Sequence, residues 1–93
     1  MDPDAAQRAA ATAKRVQREM RERALQISLV MQQTAETLAK SAALAEEHAR
    51  RQDRAGGKGA VEERQAAERA REGARRARLY AEQWRELAER ANT

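Results

Sequence analysis

The stretch Ala55-Gly56-Gly57-Lys58-Gly59 holds three of the four glycines in the chain and its only strong break after Pro3. Glycine reaches positive φ without the clash that a Cβ brings, so such a cluster marks where a helix ends and the chain turns back. From Pro3 to Arg54 no other glycine or proline intervenes, and from Ala60 to Ala91 there is only Gly73. Both flanks are rich in Ala, Arg, Glu and Gln, which favour helix, while β-branched and aromatic residues are scarce. The sequence therefore predicts an all-α single unit over residues 1–93. Helix one covers about 3–54, the turn 55–59 and helix two about 60–91, folded as a two-helix antiparallel hairpin of the alanine-rich coiled-coil type.

Asp2-Pro3-Asp4 reads as a helix start: Asp2 can accept from free amide groups, Pro3 suits the first helical position, and Asp4 favours the positive end of the dipole. The polar run Gln32-Gln33-Thr34 is the weakest point of helix one and the expected place for a bend. Its apolar stripe runs Val16, Met20, Ala24, Ile27, Met31, Ala35, Leu38, Ala42, Ala45, Ala49, a spacing of about eleven residues per three turns that predicts a packing face with little supercoil. Leu25 and Leu29, with Val30 to one side, point away from that stripe. A hairpin cannot cover both faces, so these three form a candidate second protein interface, the one through which a symmetric homodimer is expected to pack.

In helix two the seam is Ala60, Ala67, Ala70, Ala74, Ala77, Ala81, Trp84, Ala88 and Ala91, with Glu63 interrupting the series. Steps of three and four give a heptad seam made almost wholly of alanine. Trp84 at seam spacing reads as core. Beside it runs the column Ala66, Gly73, Tyr80, Leu87; Gly73 weakens the helix, so its place is explained by close approach of the other backbone. An alanine-lined antiparallel pair resembles the tight alanine coil of short helical hairpins, a resemblance that implies geometry and no activity. A turn centred near Gly57 places Ala70 opposite Leu44 and Ala45, Ala77 opposite Leu38, and Trp84 beside Ile27, Val30 and Met31, with Tyr80 and Leu87 also against helix one. Helix two then stops opposite residues near Glu22, and about twenty N-terminal residues overhang.

Only fourteen apolar side chains larger than alanine lie beyond Met1 in the 93 residues, and 37% of the chain is charged. Such a core is thin, and a partner chain is the expected remedy: a homodimer forming a four-helix bundle. No apolar run approaches the roughly 18 residues of a membrane span, and there are no cysteines for disulfides or thiolate metal sites. A cytoplasmic, non-membrane protein is expected.

Little in the chain speaks for catalysis. The glycines around Lys58 lack the spacing, the Ser/Thr and the preceding strand of a phosphate-binding loop. His48 is the only histidine, and Ser28 and Ser41 have no base in a plausible triad. No enzyme activity, cofactor or metal is expected. What remains is charge. Arg64, Arg71, Arg78 and Arg85 recur every seven residues, and Arg69, Arg76 and Arg90 form a second column, but glutamates three or four residues away make these a solvated, paired surface. Around the turn Arg50, Arg51, Arg54 and Lys58 face only Asp53, which makes a candidate anion-binding tip. The expected function is a non-enzymatic, self-associating protein-interaction or regulatory module. The alternative is a nucleic-acid-binding accessory protein using that tip and the arginine columns, against which stand the modest net charge of +4 and the lack of a free stacking aromatic.

Overall fold

The computed structural model describes residues 2–91, in which α1 (Pro3–Arg54) and α2 (Ala60–Ala91) pack along each other as an antiparallel hairpin 82 Å long and 13 Å in each cross direction. Of the expected unit 1–93, Met1, Asn92 and Thr93 lie outside the described residues. Asp2 caps α1 by accepting from the Asp4 N–H at 3.0 Å, ahead of Pro3 in the first turn. The polar run 32–34 introduces no break: α1 is continuous, and the Thr34 hydroxyl is absorbed by donating to the Val30 carbonyl at 2.9 Å.

The turn begins as a Schellman cap. Gly56 has φ +73°, the Gly57 N–H donates to Gln52 O at 2.8 Å, and the Gly56 N–H donates to Asp53 O at 3.3 Å. Two otherwise orphaned carbonyls at the end of α1 are thus satisfied where a left-handed residue is required. The Gly59 carbonyl then accepts from Glu63 N–H at 3.1 Å and opens α2, with Glu62 and Glu63 in its positive first turn.

The seam between the helices is built from small side chains. In α2 Ala60, Ala67, Ala74, Ala77, Ala81 and Ala88 are buried, whereas Ala70, Gly73, Trp84 and Ala91 are half-buried. The α1 side is narrower than its apolar stripe predicts: Ala24, Ser28, Ala35, Ala42 and Ala49 are buried, and Ile27, Met31, Leu38 and Ala45 are half-buried flanks. Val16 and Met20 stand in solvent. From Ser28 to Ala49 in α1 and from Ala60 to Ala88 in α2 the buried positions recur every seven residues, replacing the eleven-residue repeat expected for α1. The reason is steric: an alanine column in α2 brings the backbones so close that only alanine or serine fits between them.

Ser28 is the seam member that hydropathy does not reveal. It is 3% exposed and its hydroxyl donates to the Ala81 carbonyl at 2.8 Å, which removes the cost of burying it. Several expected pairings change accordingly. Tyr80, Leu87 and Leu44 are about half exposed and do not fill the seam, and Trp84 lies at its edge. The register also runs further than expected, since the Gln17 amide reaches the Ala91 carbonyl. The overhang is Pro3 to Val16, about 21 Å of helix.

Candidate functional site

Because the buried positions repeat every seven residues, the columns on either side of the seam can be followed along the hairpin, and two contacts identify its two sides. On one side Glu46 pairs with Arg71 and Asp53 with Arg64 across the helices. Stepping by seven, this side carries Leu25, Gln32 and Ala39 of α1 and the whole column Arg64, Arg71, Arg78, Arg85 of α2. On the other side Gly73 lies over Leu38, whose Cδ1 would stand 3.0 Å from a Cβ added at the glycine. The same steps place Ala24 and Met31 in the Leu38 column and Ala66, Tyr80 and Leu87 in the Gly73 column. Gly73 thus leaves room for the Leu38 side chain, and the other backbone, whose close approach its position in the sequence predicts, is not among the atoms such a Cβ would meet first.

The arginine side is an ion-pair lattice over an alanine floor. Arg71 bridges Glu46 on α1 and Glu68 on its own helix, and Arg75 reaches Glu72 at 2.5 Å and Glu68 at 3.4 Å. The hydrogen bond from Arg71 holds the Glu46 carboxyl below the usual carboxylate range and raises the guanidinium in turn, and Arg75 and Glu72 shift each other in the same directions. These groups are solvent-accessible, so the pairs set register and add little to stability. An open groove of about 310 Å³ runs between the rows, floored by Ala39, Ala42, Ala43 and Ala74 and rimmed by Glu46, Arg71, Arg75 and Arg78.

Leu25 and Leu29, one helical turn apart, do lie together, 40% and 47% exposed, on this arginine side. Val30 does not join them. It is turned about 100° from Leu29 and falls in the outer column of Val16 and Leu44, where it is 44% exposed. At the tip Arg51 is paired with Glu47 at 2.7 Å and Arg50 acts electrostatically on Glu46, while Arg54 and Lys58 make no ion pair among the described residues. Of the four basic residues of the tip, Arg51 alone is held in an ion pair among the described residues.

Among the described residues no three His, Asp or Glu side chains gather as a metal site, and no helix is long and apolar enough to cross a membrane. The sequence places Ile27, Met31, Leu38, Tyr80, Trp84 and Leu87 between the helices, whereas the structure sets them along the side opposite the arginines, half-buried or exposed. The signal that finds it is the seven-residue recurrence of Ser28, Ala35, Ala42 and Ala49, which fixes the seam and with it the two sides. Comparison with protein-family models, curated proteins and solved structures finds no match.

Proposed function

We propose that this chain is a non-enzymatic helical hairpin that self-associates and works as a protein-interaction module. One observation carries the reading: the seam between the helices buries only alanines and one serine, and the large apolar side chains are left outside it. Among the described residues ten of them are at least 40% exposed, and none larger than alanine is fully buried. Apolar surface in water costs about 25 cal/mol per Å², so a hairpin carrying this much of it gains by association. A four-helix arrangement of two copies joined by an isologous contact is the simplest form that supplies cover. Light scattering coupled to gel filtration tests it: the expected species at tens of micromolar has twice the 10.4 kDa chain mass, and a single-chain mass at every concentration refutes the reading.

A second reading, anion binding at the tip, draws support from Arg50, Arg54 and Lys58, the three cations there without ion pairs among the described residues. It competes with the role that arginines have at any helix C-terminus, where the dipole alone favours them.

A further inference from the structure

The two sides of the hairpin differ in charge far more than the composition of the chain explains. Opposite the arginine side, the two α1 columns flanking the seam run Pro3, Ala10, Gln17, Ala24, Met31, Leu38, Ala45 and Ala6, Ala13, Met20, Ile27, Thr34, Ser41, His48. The facing α2 columns run Ala66, Gly73, Tyr80, Leu87 and Glu63, Ala70, Ala77, Trp84, Ala91. Glu63, in the first turn of α2, is the one Asp, Glu, Lys or Arg among these positions, in a chain of which 37% is charged. The corresponding columns across the seam contain the arginine row and most of the ion pairs. Solvation alone gives no reason to clear charge from one side only.

We infer that this uncharged side, centred on Ile27, Met31, Leu38, Tyr80, Trp84 and Leu87, is the surface on which a second copy of the chain docks. The inference rests on the self-association proposed above and names the face that performs it. Three features select a second copy. A side whose one formal charge is Glu63, at its turn end, offers little to a charged partner, but its uncharged length is complementary to itself across a twofold axis, where like charges would otherwise meet. The arginine side meets that condition less well, because Arg78 and Arg85, which make no ion pair among the described residues, stand there beside the paired Arg64 and Arg71. The available area also fits. The hairpin exposes 7276 Å², whereas a compact 10.4 kDa chain exposes about 5,400 Å². That excess of roughly 1,900 Å² exceeds the about 800 Å² that each partner buries in a standard interface.

The overhang belongs to the same surface. Ala6, Ala10 and Ala13 continue the uncharged columns past Ala91, where α2 no longer covers α1, while Arg8, Arg15 and Arg18 project from the other side.

Two paired variants and one dilution experiment test the assignment. Tyr80→Glu/Leu87→Glu places carboxylates on the uncharged side at positions already 49% and 46% exposed, so the hairpin itself keeps its helicity. Leu25→Glu/Leu29→Glu does the same on the arginine side at comparable exposure. The first pair is expected to weaken dimerisation more than tenfold and give a helical monomer by light scattering; the second leaves the dimer intact. Trp84, the only tryptophan, lies on the docking side, so its emission in the wild type shifts to the red as dilution separates the chains. A wild type that is monomeric throughout overturns the self-association itself. A dimer that survives Tyr80→Glu/Leu87→Glu, or that the Leu25 and Leu29 changes dissociate, overturns the face and leaves self-association standing. If the first variant loses its helices, Trp84 decides: emission unchanged across the dissociation measured by light scattering overturns the face.

Discussion

Replacing the buried Ala67 by leucine enlarges an apolar residue, and replacing the outer Leu79 by alanine deletes one, yet the first change is the harmful one. Ala67 is 0% exposed and occupies the middle of the α2 seam, one heptad from Ala60 and Ala74, whereas Leu79 is 52% exposed on the back of the same helix. A leucine at 67 brings three further carbons into a space that holds only alanine-sized groups, so the backbones must part or the side chain must leave its rotamer. Overpacking of this kind costs about 1–3 kcal/mol. The Leu79 change stays within about 0.5 kcal/mol, since it removes surface-facing atoms and installs the best helix former. At about 4–8 °C per kcal/mol for a chain of this size, Ala67→Leu lowers the melting temperature by roughly 5–20 °C and Leu79→Ala leaves it nearly unchanged. Circular dichroism melts at two chain concentrations separate this loss from any change in association. Equal melting temperatures for the two variants, or a larger drop for Leu79→Ala, refute the small-residue seam.

Gly56→Ala forces a Cβ into the left-handed conformation and costs about 1–2 kcal/mol, whereas Gly57→Ala meets only the mobile end of the Gln52 side chain and changes stability little or raises it; chemical denaturation of the pair checks this. Glu46, whose carboxyl is held low by Arg71, contributes stability that is present above the ordinary carboxylate range and lost as pH falls through its lowered folded value. The stability gap between wild type and Glu46→Gln is therefore expected to close on acidification in urea titrations, and a gap that widens contradicts the Arg71 pairing. Changing Arg50, Arg51, Arg54 and Lys58 to Gln is expected to abolish retention on heparin at about 50 mM salt with helicity unchanged; a wild type that is not retained removes the tip from consideration.

The helices, their ends and the turn were legible because each depends on a local preference: Pro3 and Asp2 at one terminus, three glycines at the other, and helix formers between. The α2 seam was legible for a related reason, since alanine recurring every seven residues has no competing apolar column. The α1 seam was legible only in part: Ala24, Ala35, Ala42 and Ala49 stand in the expected stripe and are buried, whereas the buried Ser28 is not a member of it and the larger members of the stripe are not buried. Hydropathy draws the eye to Val16, Met20, Ile27 and Met31, but the quantity that decides burial in this hairpin is size. Once Ala67, Ala74 and Ala81 draw the backbones together, the facing positions must be equally small, and a serine whose hydroxyl finds the Ala81 carbonyl serves as well as an alanine. The large residues that look like core are displaced to the flanks by the same closeness. Tyr80 and Leu87 are on the surface because the column beside them is alanine, and the intrachain packing that excludes them leaves them available to another chain.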